Sequence, residues 1–289
     1  MFMNRYKIVA DSSANLTEED AVRLFGSDIA FASTTLKIRT AVAEYVDDAE
    51  LDVERMVEEI RATKGPSSSS CPNVAEWLDA YEGAEMVFAF TISSNLSGSY
   101  ASAVAAAKEY AEMHTGVRVH VFDSLSTGPE MQLLMEKTAE LIHAGASYER
   151  IVASVEAYRL RTRLTFSLES LHNLAANGRV KPAVAAIAGV LGIRVLAIAS
   201  EIGTIETLKK ARGEKAMLRS MWEIMKERGF AGGKVRMAHC FNENAAKELA
   251  QSIRAAFAGV DVEIRSCRGL CSFYAEKGGL LIGFETAEA

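Results

Sequence analysis

Met86-Val87-Phe88-Ala89-Phe90-Thr91 runs uncharged into Ile92-Ser93-Ser94-Asn95-Leu96-Ser97-Gly98-Ser99, and an alanine-rich stretch, Tyr100 to Met113, follows. An unbroken apolar run of this length reads as a strand covered on both faces, and the alanines favour a helix. Strand, hydroxyl-rich loop and helix form the repeating unit of a parallel sheet. The same order opens the chain: Tyr6–Ala10 enters Asp11-Ser12-Ser13, and a helix begins at Thr17-Glu18-Glu19-Asp20, a capping-box pattern with Asp in place of Glu. It returns at Val117–Phe122, which enters Asp123-Ser124-Leu125-Ser126-Thr127-Gly128 before a helix over Pro129–Ala144. Ala30–Ile38 reads as another strand. After Glu44-Tyr45-Val46-Asp47-Asp48 comes a helix with Leu51, Val53, Met56, Val57 and Ile60 on one face. A serine run, Ser67 to Ser70, then leads through Cys71-Pro72 into a helix carrying Val74, Trp77, Leu78 and Tyr81.

Strands alternating with helices predict an α/β architecture whose first domain is a three-layer parallel sheet with helices on both faces. Ligands of such sheets bind at the carboxyl ends of the strands, where all of these hydroxyl-rich loops are expected to converge. The regular alternation stops near Ala146, so the chain is divided into an N-terminal domain, 1–146, and a C-terminal domain, 147–289. A charged helix, Tyr148–Leu160, is expected to lead away from the first sheet. Beyond it the sequence predicts a strand at Leu164–Leu168, helices at Ser170–Ala176 and 183–190, and strands at Arg194–Ala199 and Thr204–Leu208 that pair antiparallel around Glu201-Ile202-Gly203. Helices at Glu214–Arg228 and Asn244–Phe257 and strands at Lys234–His239, Val260–Ser266 and Leu280–Glu285 complete a mixed sheet with helices mainly on one face.

With 289 residues, 49% of them hydrophobic and 24% charged, the chain has the composition of an ordinary globular protein. Its net charge of −6 comes from interspersed charges without a basic block, which argues against nucleic acid as a partner. The start carries Asn4, Arg5, Lys7 and Asp11 instead of a leader's apolar run, so a cytoplasmic location is expected. The longest apolar stretch, Ala183 to Ala199, is broken by Arg194 and falls short of a bilayer span. The four cysteines read as reduced thiols, and Cys267 and Cys271, lacking a second ligand pair, as packing residues.

Ser93 and Ser94 follow a buried strand, and Ser97 is placed to cap the next helix. Free backbone N–H groups, a helix dipole and several hydroxyls would then face one space that suits a carboxylate or phosphate. Serine in such loops also simply builds turns, and both readings stay open. Asp11 and Asp123 end corresponding strands and could act as an acid–base pair or bind the local backbone. His239 could face the site or serve as a cap. Motifs of α/β-hydrolases, P-loops, dinucleotide folds and zinc proteases are missing from the sequence.

Several ordered motifs resemble the DegV family of bacterial fatty-acid-binding proteins. Ile8-Val9-Ala10-Asp11-Ser12-Ser13 is similar to its I-V-x-D-S-S opening, and Glu44–Asp48 to its E-Y-x-D-x segment. Ser69-Ser70-Cys71-Pro72 stands where the family has T-S-x-P, and Ile92–Tyr100 follows I-S-S-x-L-S-G-T-Y. Asp123-Ser124 with Gly128, Asn177-Gly178-Arg179 and Ala211-Arg212-Gly213 are similar to its D-S…G, G-G-R and V-R-G. The resemblance implies a long-chain fatty acid between the two domains, with no cofactor and no membrane insertion. It also implies a separate fatty-acid kinase that phosphorylates the bound acid to an acyl phosphate. Carried over by position, Ser69, Ser70, Ser93 and Ser94 would hold the carboxylate. Tyr274 stands where the family's H-T-G-P-G histidine faces it. Arg179, Arg212, Asp11 and Asp123 would stand behind these or toward the partner. The competing reading is an enzyme that uses Ser93, Asp11 and Asp123 on a small phosphorylated or carboxylated substrate.

Overall fold

In a computed structural model that describes residues 4–63, 65–185 and 192–287, the alternation read from the sequence forms the first sheet. Its elements are β1 (Asn4–Asp11), α1 (Glu18–Phe25), β2 (Ala30–Thr34), β3 (Lys37–Arg39), β4 (Glu44–Val46), α2 (Val53–Ala62), β5 (Ser68–Ser70), α3 (Val74–Tyr81), β6 (Ala84–Thr91), α4 (Ser99–Met113), β7 (Arg118–Asp123), α5 (Pro129–His143) and α6 (Tyr148–Arg159). Four strands lie parallel in the order β2-β1-β6-β7. Ile8, Ala10, Phe88 and Phe90 point to the layer of α1, α5 and α6, while Val9, Val87 and Ala89 point to α3 and α4. Both strand faces are therefore dry, which explains the unbroken apolar runs. Full burial of Phe88 or Phe90 contributes about 1.5–3 kcal/mol each. Thr17 and Asp20 form the capping box expected at α1.

Four expectations need correction. The run Ala30–Ile38 is two strands: β2 stays in the main sheet, while β3 turns away and pairs antiparallel with β4 and β5 in a separate small sheet. The serine run is thus a strand, not a loop at the carboxyl end of the main sheet. Helix α6 does not lead away from the first sheet. Its stripe of Tyr148, Ile151, Val155 and Tyr158, spaced by three and four residues, packs on that sheet, with the Tyr148 ring stacked 5.2 Å from Phe88. Ser97 does not occupy the N-cap of α4, which Gly98 fills.

The rest of the chain gives β8 (Thr162–Leu168), α7 (His172–Ala176), α8 (Pro182–Ala185), β9 (Ile193–Ala199), β10 (Ile205–Arg212), α9 (Glu214–Glu227), β11 (Phe230–His239), α10 (Glu243–Ala256), β12 (Val262–Ser266), α11 (Gly269–Ala275) and β13 (Leu280–Thr286). Of the helix expected over 183–190, residues 186–190 lie outside the described residues. The mixed sheet has the order β10-β9-β8-β13-β11-β12, parallel only between β11 and β12. Helices α9 and α10 cover one face, where Leu196, Ile198, Met237 and Ile282 meet Met217, Met221 and Leu249. The other face, with Leu164, Phe166, Leu168 and Leu281, turns toward the small sheet, α11 and Ile92. Helix α5 lies between the two large sheets. Gly283 on β13 leaves room for it, since a Cβ there would sit 2.6 Å from the Pro129 and Glu130 backbone.

Candidate functional site

The loops at the carboxyl ends of β1, β6 and β7 do converge, but mostly on one another. Asp11, fully buried, accepts from Ile92 N at 2.9 Å, Ser99 Oγ at 2.6 Å, and both Ser13 N and Ser13 Oγ. Burial raises its carboxyl pKa against the pull of these bonds. Asp123 accepts from Ser94 N and Leu125 N. The N–H groups of Ser93, Asn95, Leu96, Ser97 and Ser99 end on Ser126 O, Ser93 Oγ, Ser93 O twice, and Ser97 Oγ. The donors expected to form an anion cradle are therefore engaged within the protein. Ser93, itself fully buried, gives its hydroxyl proton to the Gly203 carbonyl at 2.7 Å. Ser94 is exposed. Both acids act as turn builders, the second of the two readings open for them.

A different set of side chains meets at the cavity between the two large sheets, whose free volume is about 80 Å³. Leu164, Phe166, Leu168 and Leu281 line it from the mixed sheet, and Leu36, Ile92 and Leu96 from the first unit. The hairpin of β9 and β10 closes one side through Ala199, Gly203, Thr204 and Ile205. Polar groups gather where Ser69, Tyr274 and Arg179 join this wall. Ser69 Oγ and the Tyr274 hydroxyl lie 2.7 Å apart. Arg179 Nε donates to Leu96 O at 3.0 Å, which fixes its guanidinium at the rim. Burial pushes the Tyr274 pKa above its ordinary 10.0, opposed by the bond with Ser69 and the positive charge of Arg179. The phenol is thus neutral in ordinary buffers and ready to donate.

Helix α11, which sequence reading left out, carries Tyr274. It exists because Asp47, nearly fully buried, accepts Gly269 N at 2.8 Å and Leu270 N at 2.9 Å and so caps its first turn. That gives the Glu44–Asp48 motif a physical role. Gly269 is needed for the approach, since a Cβ there would lie 2.6 Å from Asp47 Oδ1. Cys271, one turn before Tyr274, also lines the cavity and donates to Ser13 O, and burial pushes its thiol up to about 12. Cys267 and Cys240 are likewise buried in the core with raised pKa values, in keeping with a packing role.

A family profile described as an uncharacterised protein of the DegV family matches residues 5–286. The chain belongs to the DegV family. A DegV domain-containing protein of Streptococcus pneumoniae is 41% identical over 280 residues, 97% of this chain and 99% of its own length. Among solved structures, a DegV family protein from Eubacterium eligens loaded with heptadecanoic acid is 39% identical, with a TM-score of 0.93, covering 98% of this chain and 100% of its own. The Streptococcus pneumoniae Fatty Acid Kinase (Fak) B3 protein loaded with linoleic acid is 40% identical, also with a TM-score of 0.93 and the same coverage.

On this DegV scaffold, Ser69, Tyr274 and Arg179 come together, while Ser70, Ser94 and Arg212 do not. Ser70 points to solvent because neighbouring residues of β5 alternate sides. Arg212 is exposed at the far end of β10, eight residues from the hairpin tip and so about 26 Å away along the strand. His239 lies elsewhere, buried near Thr17, Phe241 and Arg265, and accepts Asn242 N on its Nδ1. Sequence reading missed Ser97, Ser126 and Thr127 as wall residues. They sat in loops already marked as hydroxyl-rich, and no pattern separates the residue that turns inward from its neighbours.

Proposed function

We propose that this chain binds a long-chain fatty acid in the cavity between its two sheets and presents the carboxylate to a fatty-acid kinase. One observation carries the reading: a mainly apolar cavity wall brings two neutral hydroxyls, Ser69 and Tyr274, together beside the Arg179 guanidinium. That pairing suits a ligand with one anionic head and a long hydrocarbon tail. The carboxylate would accept from Ser69, Tyr274 and Arg179. The fatty acids loaded into the Eubacterium eligens and Streptococcus pneumoniae proteins support the ligand class, and the description of the latter as a fatty acid kinase component supports the partner. No cofactor enters this role. Among the described residues no helix is long and apolar enough to cross a membrane. A kinase that draws on cellular ATP would meet the carrier in the cytoplasm. The two units are best divided after α6, near residue 160, since that helix packs on the first sheet.

The enzymatic alternative needs Ser93, Asp11 or Asp123 turned toward a substrate, and each is engaged in holding loops together. Native mass spectrometry of protein purified from bacteria tests the proposal. The expected spectrum carries the added mass of a long-chain acid, and acyl phosphate forms only when kinase and ATP are supplied together. A chain that takes up no lipid, or that turns over substrate alone, overturns the reading.

A further inference from the structure

The parallel pair β11 and β12 ends at His239 and Ser266, which stand opposite each other in register. Crevices beyond the carboxyl ends of parallel strands are where open α/β sheets receive ligands. The crevice here has a free volume of about 320 Å³, against about 80 Å³ for the cavity beside Tyr274, and the two share no wall residue. Its wall is rich in donors. His239, 8% exposed, accepts Asn242 N on Nδ1 at 3.4 Å, so the neutral ring carries its hydrogen on Nε2, which has no partner among the described residues. Burial lowers the ring's pKa, which keeps it neutral in ordinary buffers. Arg268 gives Nη2 to the Asp48 carbonyl, and the acid nearest to it, Asp47, is committed to the N–H groups of Gly269 and Leu270. Arg265 pairs with Asp20 and Glu263, and its Nε is left without a partner. Thr17 accepts Asp20 N on its hydroxyl oxygen, which leaves the hydroxyl hydrogen to give. Against these donors the wall sets one uncommitted carboxylate, Glu54, and it is exposed.

We propose that this pocket is a second ligand site, which binds a small phosphorylated molecule whose phosphoryl oxygens accept from His239 Nε2, Arg268 and Thr17. Spare donors around a guanidinium suit a charged group that only accepts, and the planar fork of an arginine matches phosphate oxygens in pairs. Asp20 does not oppose the anion, since Arg265 and Arg23 neutralise it. A phosphate group alone would leave most of the space empty. Val53 and the Phe241 ring supply apolar wall for an organic body beside it. The site does not depend on what fills the cavity beside Tyr274.

Calorimetric titration of the full chain with phenyl phosphate, inorganic phosphate and acetate tests the assignment. Phenyl phosphate should bind saturably at one site and more tightly than phosphate, with acetate the weakest of the three. Arg268→Gln and His239→Ala should each weaken phenyl phosphate about tenfold or more, the effect of losing a hydrogen bond to a charged group. Glu54→Gln should tighten it about twofold, because an opposing charge leaves an exposed position. A gain of affinity cannot come from damaged packing, so this variant decides the matter if either of the others folds poorly. Acetate that binds as tightly as phenyl phosphate, or Arg268→Gln at the parent's affinity, overturns phosphoryl recognition. A parent protein that binds no phenyl phosphate at millimolar concentrations overturns the site itself.

Discussion

At the scale of single residues, three side chains at the cavity rim differ in what they can give a carboxylate. Arg179 supplies charge and geometry, whereas Ser69 and Tyr274 supply neutral O–H donors that already bond each other. Tyr274→Phe should weaken fatty-acid binding by about 0.5–1.5 kcal/mol, and Arg179→Gln by about 1.5–3 kcal/mol, because a hydrogen bond to a charged group is worth more. Calorimetric titration of the delipidated variants with one acid reads both, and equal affinities would place the carboxylate elsewhere. The sign of the pH effect follows from the phenol. Its folded pKa lies above the ordinary 10.0, so the stability it contributes is complete below 10.0 and is lost only as pH rises past 10.0 through the native value. Binding between about pH 6 and 9 should therefore be flat with respect to this group. Tyr274→His substitutes a group that titrates near ~6.5, and its affinity should rise as pH falls through that range, when the imidazolium forms beside the carboxylate.

Among the elements, α11 decides whether the rim exists at all. Seven residues make a weak helix alone, and the Asp47 carboxylate holding two of its N–H groups is what fixes it. Asp47→Ala should cost about 2 kcal/mol in urea unfolding, for it removes a cap and leaves two buried N–H groups unpaired. It should also weaken fatty-acid binding, because Tyr274 rides on that helix, and a variant as stable as the parent would show that packing alone holds α11. This element also marks where sequence reading gave out. The Phe88 and Phe90 strand was legible because both faces are buried and its residues say so directly. Gly269–Ala275 was not: seven residues span too few turns for a period, and the cap lies more than 200 residues upstream, at Asp47. Likewise, β5 is all serine, a composition that suggests a loop, and only its pairing with Ile38 makes it a strand. Ser69 and Tyr274 were named because the family motifs include their positions, and their 2.7 Å contact across 205 residues depends wholly on the tertiary fold.

For the molecule as a whole, the cavity lasts only while its two units stay together, and α5 is the element that joins them. Arg236 on β11, nearly fully buried, makes a two-pronged contact with Glu136 of α5 at 2.7 and 2.6 Å, and its Nη2 also reaches Asp261 at 2.7 Å. Gln132 bonds Glu136 at 2.8 Å and Glu263 at 2.7 Å, which extends the network to β12. Burial opposes the guanidinium charge, yet Glu136 and Asp261 outweigh it and hold the arginine's pKa above its usual value. Such a network need not add net stability compared with an apolar filling, but breaking one side strands a buried charge. Arg236→Ala should therefore cost about 3–5 kcal/mol, because Glu136 would lose its bidentate partner in a site with little solvent. Arg236→Met with Glu136→Gln removes both charges together and should recover most of that loss. The cavity is lined from both units, so the single variant should bind fatty acid more weakly and the double variant nearly as well as the parent. Urea unfolding with and without saturating acid reads both quantities, since a ligand that spans the interface adds stability only to molecules whose units are docked. If Arg236→Ala unfolds at the parent's midpoint and gains as much from the acid, the docking rests on the apolar packing of α5 against Gly283 and its neighbours, and the ionic network is incidental to the site.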